Sequence, residues 1–322
     1  MTDPPPRLTI CTPTHERPEL LRRALESAIR QVHTAPTDVE IIVSDNSTSD
    51  EPERIARELL ATSPGPVRYV RNRPPLSMVE NHNRCLELAT GRSIVFLHDD
   101  DMLLPGGLRA ILEVISAPDA SPVHLFGVKV IRIDGRVRRR QVPRRDELLL
   151  PARALRRLLT ESSFVRLPGL VARADTYRAV GPFDPDAGNA IDFDMWVRLF
   201  SRYGLHTVPR PVAAYSVHDD ALTTGMFTSE AIDRLMRVFD RAAAAGTLSR
   251  DEIRHRQATW FHQFLLAGAG RQFERRDRAG AAQVMRLFRL PAIRRLGPSA
   301  RWLPVRLVFA LMVLGARRPS DA

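Results

Sequence analysis

Three adjacent carboxylates, Asp99, Asp100 and Asp101, follow directly on an apolar run at 93–97 and are preceded by His98. Like charges held this close repel, on the order of several kcal/mol in a partly dry site. A hard divalent ion with oxygen ligands would relieve the repulsion. So would a helix starting at Pro105 that the acids cap, where its dipole favours negative charge. Other groups able to do chemistry are more isolated. Asp45 closes a second apolar run, where an Asx turn is ordinary. By residue type, Asp192 caps a helix whose buried face carries Met195 and Trp196. His218 is a lone imidazole, a type that is commonly structural or solvated and that can also ligate metal or stabilise phosphate charge.

The elements that position these groups are read from periodicity. Residues 8–12, 39–44, 67–70 and 93–97 are short β runs. Between them, 19–31, 51–61 and 78–89 have helical spacing, with Leu20, Leu21, Ala24, Leu25 and Ala28 as the apolar positions of the first. Such alternation predicts βαβ units, a parallel sheet and right-handed crossovers. Ligands of these sheets gather beyond the carboxyl ends of the strands, which is where Thr12-Pro13-Thr14, Asp45-Asn46 and Asp99 to Asp101 fall. Residues 105–200 read as mixed: helices at 108–116 and 152–160, strands near 123–133, and a basic loop at 136–145. From 228 the pattern is helical, with apolar faces at Ile232, Leu235, Met236 and Phe239, then at Trp260, Phe261, Phe264 and Leu265. The domain break is placed near 225.

Phosphate loops built on glycine are excluded from the first βα turn, because the first glycine of the chain is Gly65 and no P-loop pattern occurs. A nucleotide bound by this sheet needs other means of holding its phosphates, and a divalent cation supplies one. Cys11 and Cys85 lack metal-ligand spacing, and the first residues lack an apolar leader, so a cytoplasmic setting is expected. The formal net charge of +11 is carried by 231–322, which hold 18 Arg against 7 Asp and Glu. No nucleic-acid-binding motif or aromatic stripe accompanies this charge, so nucleic acid is not an expected partner. The tail RWLPVRLVFALMVLGARR at 301–318 has two readings. It is a helix packed on its neighbours with Pro304 in its first turn, or a peripheral contact with an anionic membrane on its inner face. Its longest uncharged run, 307–316, is about half of what crosses a bilayer.

Six segments, in this order and spacing, carry a family resemblance. Ile10-Cys-Thr-Pro-Thr-His-Glu-Arg-Pro18 resembles the opening strand and turn of family-2 glycosyltransferases of the GT-A fold. Glu40-Ile-Ile-Val-Ser-Asp-Asn-Ser-Thr-Ser-Asp50 resembles their second strand. Asn81-His-Asn-Arg-Cys-Leu-Glu-Leu-Ala-Thr-Gly91 and Phe96-Leu-His-Asp-Asp-Asp-Met-Leu-Leu-Pro105 resemble their helix, strand and DxD-type metal motif. Asn189-Ala-Ile-Asp-Phe-Asp-Met-Trp-Val-Arg-Leu199 is similar to the segment that holds their general base, and Tyr215-Ser-Val-His218 to the one that follows it.

The resemblance implies an α/β GT-A fold, a central mostly parallel sheet flanked by helices, with a C-terminal helical extension. A glycosyltransferase domain would span 1–225, its nucleotide-sugar half about 7–105 and its acceptor half about 106–225, followed by a basic helical extension at 226–322. It implies an inverting transfer of a sugar from a nucleoside-diphosphate sugar to a hydroxyl acceptor (a saccharide, a lipid-linked saccharide or a small molecule), with Mg2+ or Mn2+. Thr12, Pro13, Thr14, Glu16, Asp45, Asn72, Arg84 and Asp99 would bind the nucleotide sugar. Asp100, Asp101 and His218 would hold the metal, and Asp192 would be the base, supported by Asp194 and Trp196. Two positions depart from the family pattern. His98 stands where an Asp is frequent, and Ile191 where a Glu precedes the base. Two alternatives stay open: a sugar nucleotidyltransferase, which would want a Gly-rich phosphate loop, and a catalytically degenerate membrane-associated scaffold of the same fold.

Overall fold

The computed structural model describes residues 4–34, 38–132, 134–217 and 225–314. Its strands are β1 (Leu8–Thr14), β2 (Val39–Asp45), β3 (Val67–Arg71), β4 (Ser93–Phe96), β5 (Met102–Leu103), β6 (Val123–Arg132), β7 (Val137–Gln141), β8 (Glu147–Leu149), β9 (Leu170–Arg173) and β10 (Leu205–Val217). Helices α1 (Pro18–Val32), α2 (Glu51–Leu60), α3 (Met78–Leu88), α4 (Gly107–Ile115), α5 (Pro151–Leu158), α6 (Ala174–Val180) and α7 (Ile191–Tyr203) lie between them. After β10 come α8 (Ser229–Ala244), α9 (Arg250–Glu274), α10 (Arg278–Arg286), α11 (Pro291–Arg295) and α12 (Leu303–Leu314).

By contacts the chain divides into two compact units. The first holds residues 1–151, 165–185 and 202–219; the second holds 152–164, 186–201 and 220–322.

Among the described residues the first unit contains one ten-stranded sheet in the order β3-β2-β1-β4-β9-β6-β10-β5, with β7 on β6 and β8 on β10. β1 runs parallel to β2 and β4, with Thr14 opposite Asp45 and Cys11 opposite Phe96. This register is what brings the polar ends of the three strands together. The burial of α1 follows its spacing: Leu21, Ala24, Leu25, Ala28, Ile29 and Val32 are buried, and Pro18 begins the helix where a missing N–H costs nothing. The basic stretch at 136–145 is not simply a loop, because Val137–Gln141 forms β7 and pairs antiparallel with β6. Its side chains are mostly exposed, so no apolar alternation marks it.

β6 and β10 carry a histidine pair. His124 and His206 approach at 3.1 Å through their Nδ1 atoms, and His206 Nε2 meets Asp146 at 2.7 Å. Burial and the neighbouring His206 push His124 down to about 4. The fold therefore favours the neutral ring. Below its ordinary value of 6.5 the unfolded chain binds a proton that the folded chain excludes. Stability is thus complete above pH 6.5 and falls as pH is lowered towards 4, by at most about 1.4 kcal/mol per pH unit for this group. A series of melting curves across this window should show the decline, and His124→Gln should flatten it. An unchanged slope in that variant would assign the titration to another group.

The second unit is helical. Its core is aromatic: Phe193 of α7 stacks on Trp260 of α9 at 4.9 Å, and Phe239 of α8 meets both, at 5.6 Å in each case. Asp194 is buried among these helices and receives Arg198 Nε at 2.9 Å and Arg241 Nη1 at 2.7 Å. α7 and α8 are thereby tied by a buried carboxylate held between two guanidinium groups.

Candidate active site

The acidic run does not cap the next helix. α4 begins at Gly107, its N-cap is Gly106 in the left-handed region with no side-chain cap, and β5 separates it from Asp101. Of the two readings open in the sequence, capping is therefore removed. His98 to Asp101 instead form a turn at the carboxyl end of β4, closed by the Asp101 N–H donating to the His98 carbonyl at 3.0 Å.

Within that turn the side chains converge. One ligand atom each from His98, Asp100 and Asp101 lies within 4.8 Å of the other two. Asp101 is buried; its Oδ1 accepts the Ser216 N–H at 2.9 Å, and its Oδ2 has no hydrogen-bond partner among the described residues. A buried carboxylate oxygen left in this state is costly unless a cation meets it. Burial, then the charge of Asp100, raises the Asp101 carboxyl well above the usual range. The same two causes, in the same order, raise Asp99. Arg17 lies 3.4 Å from Asp99 and 3.5 Å from Asp100, and Thr14 donates to Asp99 at 2.8 Å. These contacts oppose the shift of Asp99 without cancelling it. The donor set of two carboxylates and one imidazole suits Mg2+ or Mn2+.

His98 is oriented from behind. Its Nε2 lies 3.0 Å from His82 Nε2, and His82 Nδ1 lies 2.8 Å from the Met78 carbonyl. A carbonyl only accepts, so His82 donates from Nδ1 and accepts at Nε2. Burial and the adjacent His98 hold His82 down at about 3, keeping it neutral. His98 must then donate from Nε2, so that in the neutral ring the lone pair is on Nδ1. Metal-ligating imidazoles are commonly fixed through their second nitrogen in this way.

A second group of predicted residues surrounds the end of β2. Asp45 is fully buried, its Oδ1 accepting the Ser47 N–H at 2.7 Å and its Oδ2 the Tyr69 hydroxyl at 2.6 Å. The Asx turn expected from its type is present. Glu16, in the left-handed region at φ 52°, accepts from the Thr48 and Ser49 N–H groups at 2.6 and 3.1 Å. Hydroxyls of the same two residues, Ser49 first, hold its carboxyl down at about 2. From the other side, Arg71 donates to the Ser47, Thr48 and Ser49 carbonyls. The loop at 46–50 is thus clamped between Glu16 and Arg71.

Asn72 is buried in an amide network with Asn46 and Asn81, at 2.9 and 3.1 Å. Thr12 and Pro13 are buried in β1, and the Thr12 hydroxyl has no partner among the described residues. Arg84 is on α3, in an ion pair with Glu87. His218 lies outside the described residues. Asp192 belongs to the second unit, in the first turn of α7, where a carboxylate is favoured by the helix dipole.

Several contributors were not singled out in the sequence. Arg17 and His82 sit inside segments already notable for their order. Arg166 places its guanidinium 4.8 Å from the centre of the Tyr215 ring, and its charge bears on Asp101. Each is one polar residue in a turn or helix, and the signal was only proximity to the acidic run in space.

The model of the family described as "Glycosyl transferase family 2" matches residues 9–179. The Mycobacterium tuberculosis protein MT1568, described as uncharacterized, is 31% identical over 217 residues, 65% of this chain and 66% of that one. GalNAc(5)-diNAcBac-PP-undecaprenol beta-1,3-glucosyltransferase of Campylobacter jejuni is 31% identical over 130 residues, 40% of each chain. The chain thus spans 66% and 40% of the length of these two relatives. Among solved structures, residues 1–349 of S. aureus TarS align with TM-score 0.61 at 13% identity, over 97% of this chain and 92% of that one. The Pyrobaculum calidifontis mannosyltransferase PcManGT, in complex with GDP-Man and Mn2+, aligns with TM-score 0.57 at 16% identity, over 98% and 89%. At these identities the likeness is one of fold, the GT-A fold.

Proposed function

Because the chain belongs to glycosyl transferase family 2, and is therefore a glycosyltransferase, we propose that it transfers a sugar from a nucleoside diphosphate to a hydroxyl acceptor with inversion. The observation that carries this reading is the convergence of His98, Asp100 and Asp101 at the carboxyl end of β4. His98, Asp100 and Asp101 would hold a divalent ion, Mg2+ or Mn2+, which would offset the charge that develops on the departing diphosphate. PcManGT, with GDP-Man and Mn2+ in its complex, supports both the donor class and the metal class.

The protein's own groups do the rest. Arg17 and Thr14 hold Asp99 and Asp100 in place, and the His82 lone pair fixes His98. Asp45, Glu16 and Arg71 keep the loop at 46–50 in one conformation, which gives the nucleotide base and ribose a rigid edge. Asp192 accepts the proton of the acceptor hydroxyl as that oxygen bonds to the anomeric carbon and the bond from that carbon to the diphosphate oxygen breaks. Asp194 already binds two arginines, which favours Asp192 as the base. The Campylobacter relative is named for a PP-undecaprenol acceptor, so the acceptor class we favour is a lipid-linked saccharide.

UDP, GDP or dTDP should raise the melting temperature only when Mg2+ or Mn2+ is also present. At a ligand concentration a hundredfold above Kd the gain is about 2.7 kcal/mol, or several degrees for a protein of this size. No metal-dependent shift with any of the three would remove the metal-bridged donor from the mechanism.

A further inference from the structure

Helix α12 turns its apolar side outward. Leu307 is 57% exposed, Val308 54%, Leu311 67% and Met312 45%. Its other side packs on α9 and α10, with the Phe309 ring 5.1 Å from Phe273. An ordinary surface helix shows polar residues to solvent, whereas here Leu303, Pro304 and Val305 extend the exposed apolar face. Contiguous apolar surface of this kind marks a contact site.

Positive charge lies on the inner side of the same helix and on the segment that precedes it. Arg306 of α12 stacks its guanidinium 4.3 Å from the Phe288 ring centre, and its Nη1 is 3.4 Å from His262 Nε2. His262 Nδ1 is 2.8 Å from the Ala258 carbonyl, which leaves Nε2 as the acceptor. Arg306 and Arg294 line a cleft of about 160 Å3 with Phe288, Ile293, Gly297 and Pro298. Neither arginine has a carboxylate partner among the described residues. Arg286, Arg289, Arg295 and Arg301 are exposed on the same stretch of chain. A partly buried cation without a counter-ion is an invitation to an anion.

We propose that α12 lies in the interfacial plane of an anionic bilayer, its outer face among the acyl chains and a lipid phosphate held at Arg294 and Arg306. An exposed apolar helix face within an arginine-rich segment fits an interfacial helix. A second copy fits less well, since residues 231–322 carry 18 Arg against 7 acidic residues and self-association would oppose like charges. Spanning is not the mode: no helix among the described residues is long and apolar enough to cross a membrane. The inference stands on the second unit alone and does not depend on the transfer chemistry.

Flotation of the full chain with vesicles tests it, using phosphatidylcholine alone and phosphatidylcholine mixed with phosphatidylglycerol. The protein should float with the anionic vesicles, and less so as salt is raised. Leu307→Ser with Leu311→Ser should weaken binding at least about tenfold. Arg294→Ala with Arg306→Met should weaken it about fivefold per arginine. Melting temperatures of the serine variant should match the parent, because both leucines are exposed. Three results would overturn the proposal. Equal flotation of parent and variants would place the contact elsewhere. Thermal stabilisation by inorganic phosphate without flotation would make the cleft a site for free phosphate. A dimer that the serine variant dissolves, again without flotation, would assign the face to a second copy.

Discussion

Asp101→Asn should abolish transfer while leaving the metal-free protein at least as stable as the parent. Both halves of this expectation follow from the position of Asp101. It is buried, it sits beside Asp99 and Asp100, and its Oδ2 has no hydrogen-bond partner among the described residues. Without a cation, its charge is opposed by burial and by Asp100. Asparagine keeps the acceptor for the Ser216 N–H and removes that charge, so the melting temperature without metal should hold or rise. In the proposed reaction, the same change would remove an anionic ligand of the divalent ion that offsets the diphosphate charge. Loss of several kcal/mol of transition-state stabilisation corresponds to about a thousandfold or more in kcat/KM. The metal-dependent thermal shift with nucleoside diphosphate should disappear as well. A purely structural Asp101 would give the opposite pair: a lower melting temperature and near-normal turnover of the protein that remains folded.

The acidic run was legible in the sequence because it follows a strand, and strand ends are where such sheets bind ligands. What it does was not. The choice between capping and ion binding turned on where α4 starts, and Gly106 in the left-handed region, with β5 before it, fixes that start only in three dimensions. His98 looked like a departure from the family pattern. Its place among the candidate ligands comes from His82, on α3, which engages its Nε2 from behind. Strands β1, β2 and β4 were readable because they are buried on both faces and therefore continuous in apolar residues. β7 was missed for the converse reason: an edge strand of exposed arginines has no periodicity to detect. The sequence also treats the helical tail as one contiguous block. In the structure, residues 152–164 and 186–201 join it, because Phe193 needs Trp260 and Phe239 to be buried. Such burial depends on packing between distant segments, and a local pattern carries no trace of it.

Asp192 and Asp194 offer a sharper test, because two carboxylates two positions apart on α7 have opposite expected phenotypes. Asp194 is 1% exposed and binds Arg198 and Arg241. Replacing it with asparagine leaves two guanidinium groups facing a neutral amide in a buried setting, and breaking a buried pair this way costs about 3–5 kcal/mol. Asp194→Asn should therefore lower the melting temperature by many degrees, with activity falling in proportion to the folded fraction. Asp192 is less buried and lies in the first turn of α7. If it removes the acceptor proton, Asp192→Asn should lower the melting temperature far less than Asp194→Asn does, by about 1 kcal/mol or less of stability, and retain the metal-dependent binding of donor while kcat falls by about 10²–10⁴, the usual worth of a general base. The pH–rate profile supplies a readout that stability cannot mimic, since the acidic limb set by the base should vanish in the residual activity of Asp192→Asn. If instead Asp192→Asn turns over normally and Asp194→Asn is folded but dead, the base is the carboxylate between the two arginines. Both oxygens of Asp194 are already taken by guanidinium donors, Oδ2 by Arg198 and Oδ1 by Arg241, and that commitment to tying α7 to α8 is the physical reason for expecting Asp192.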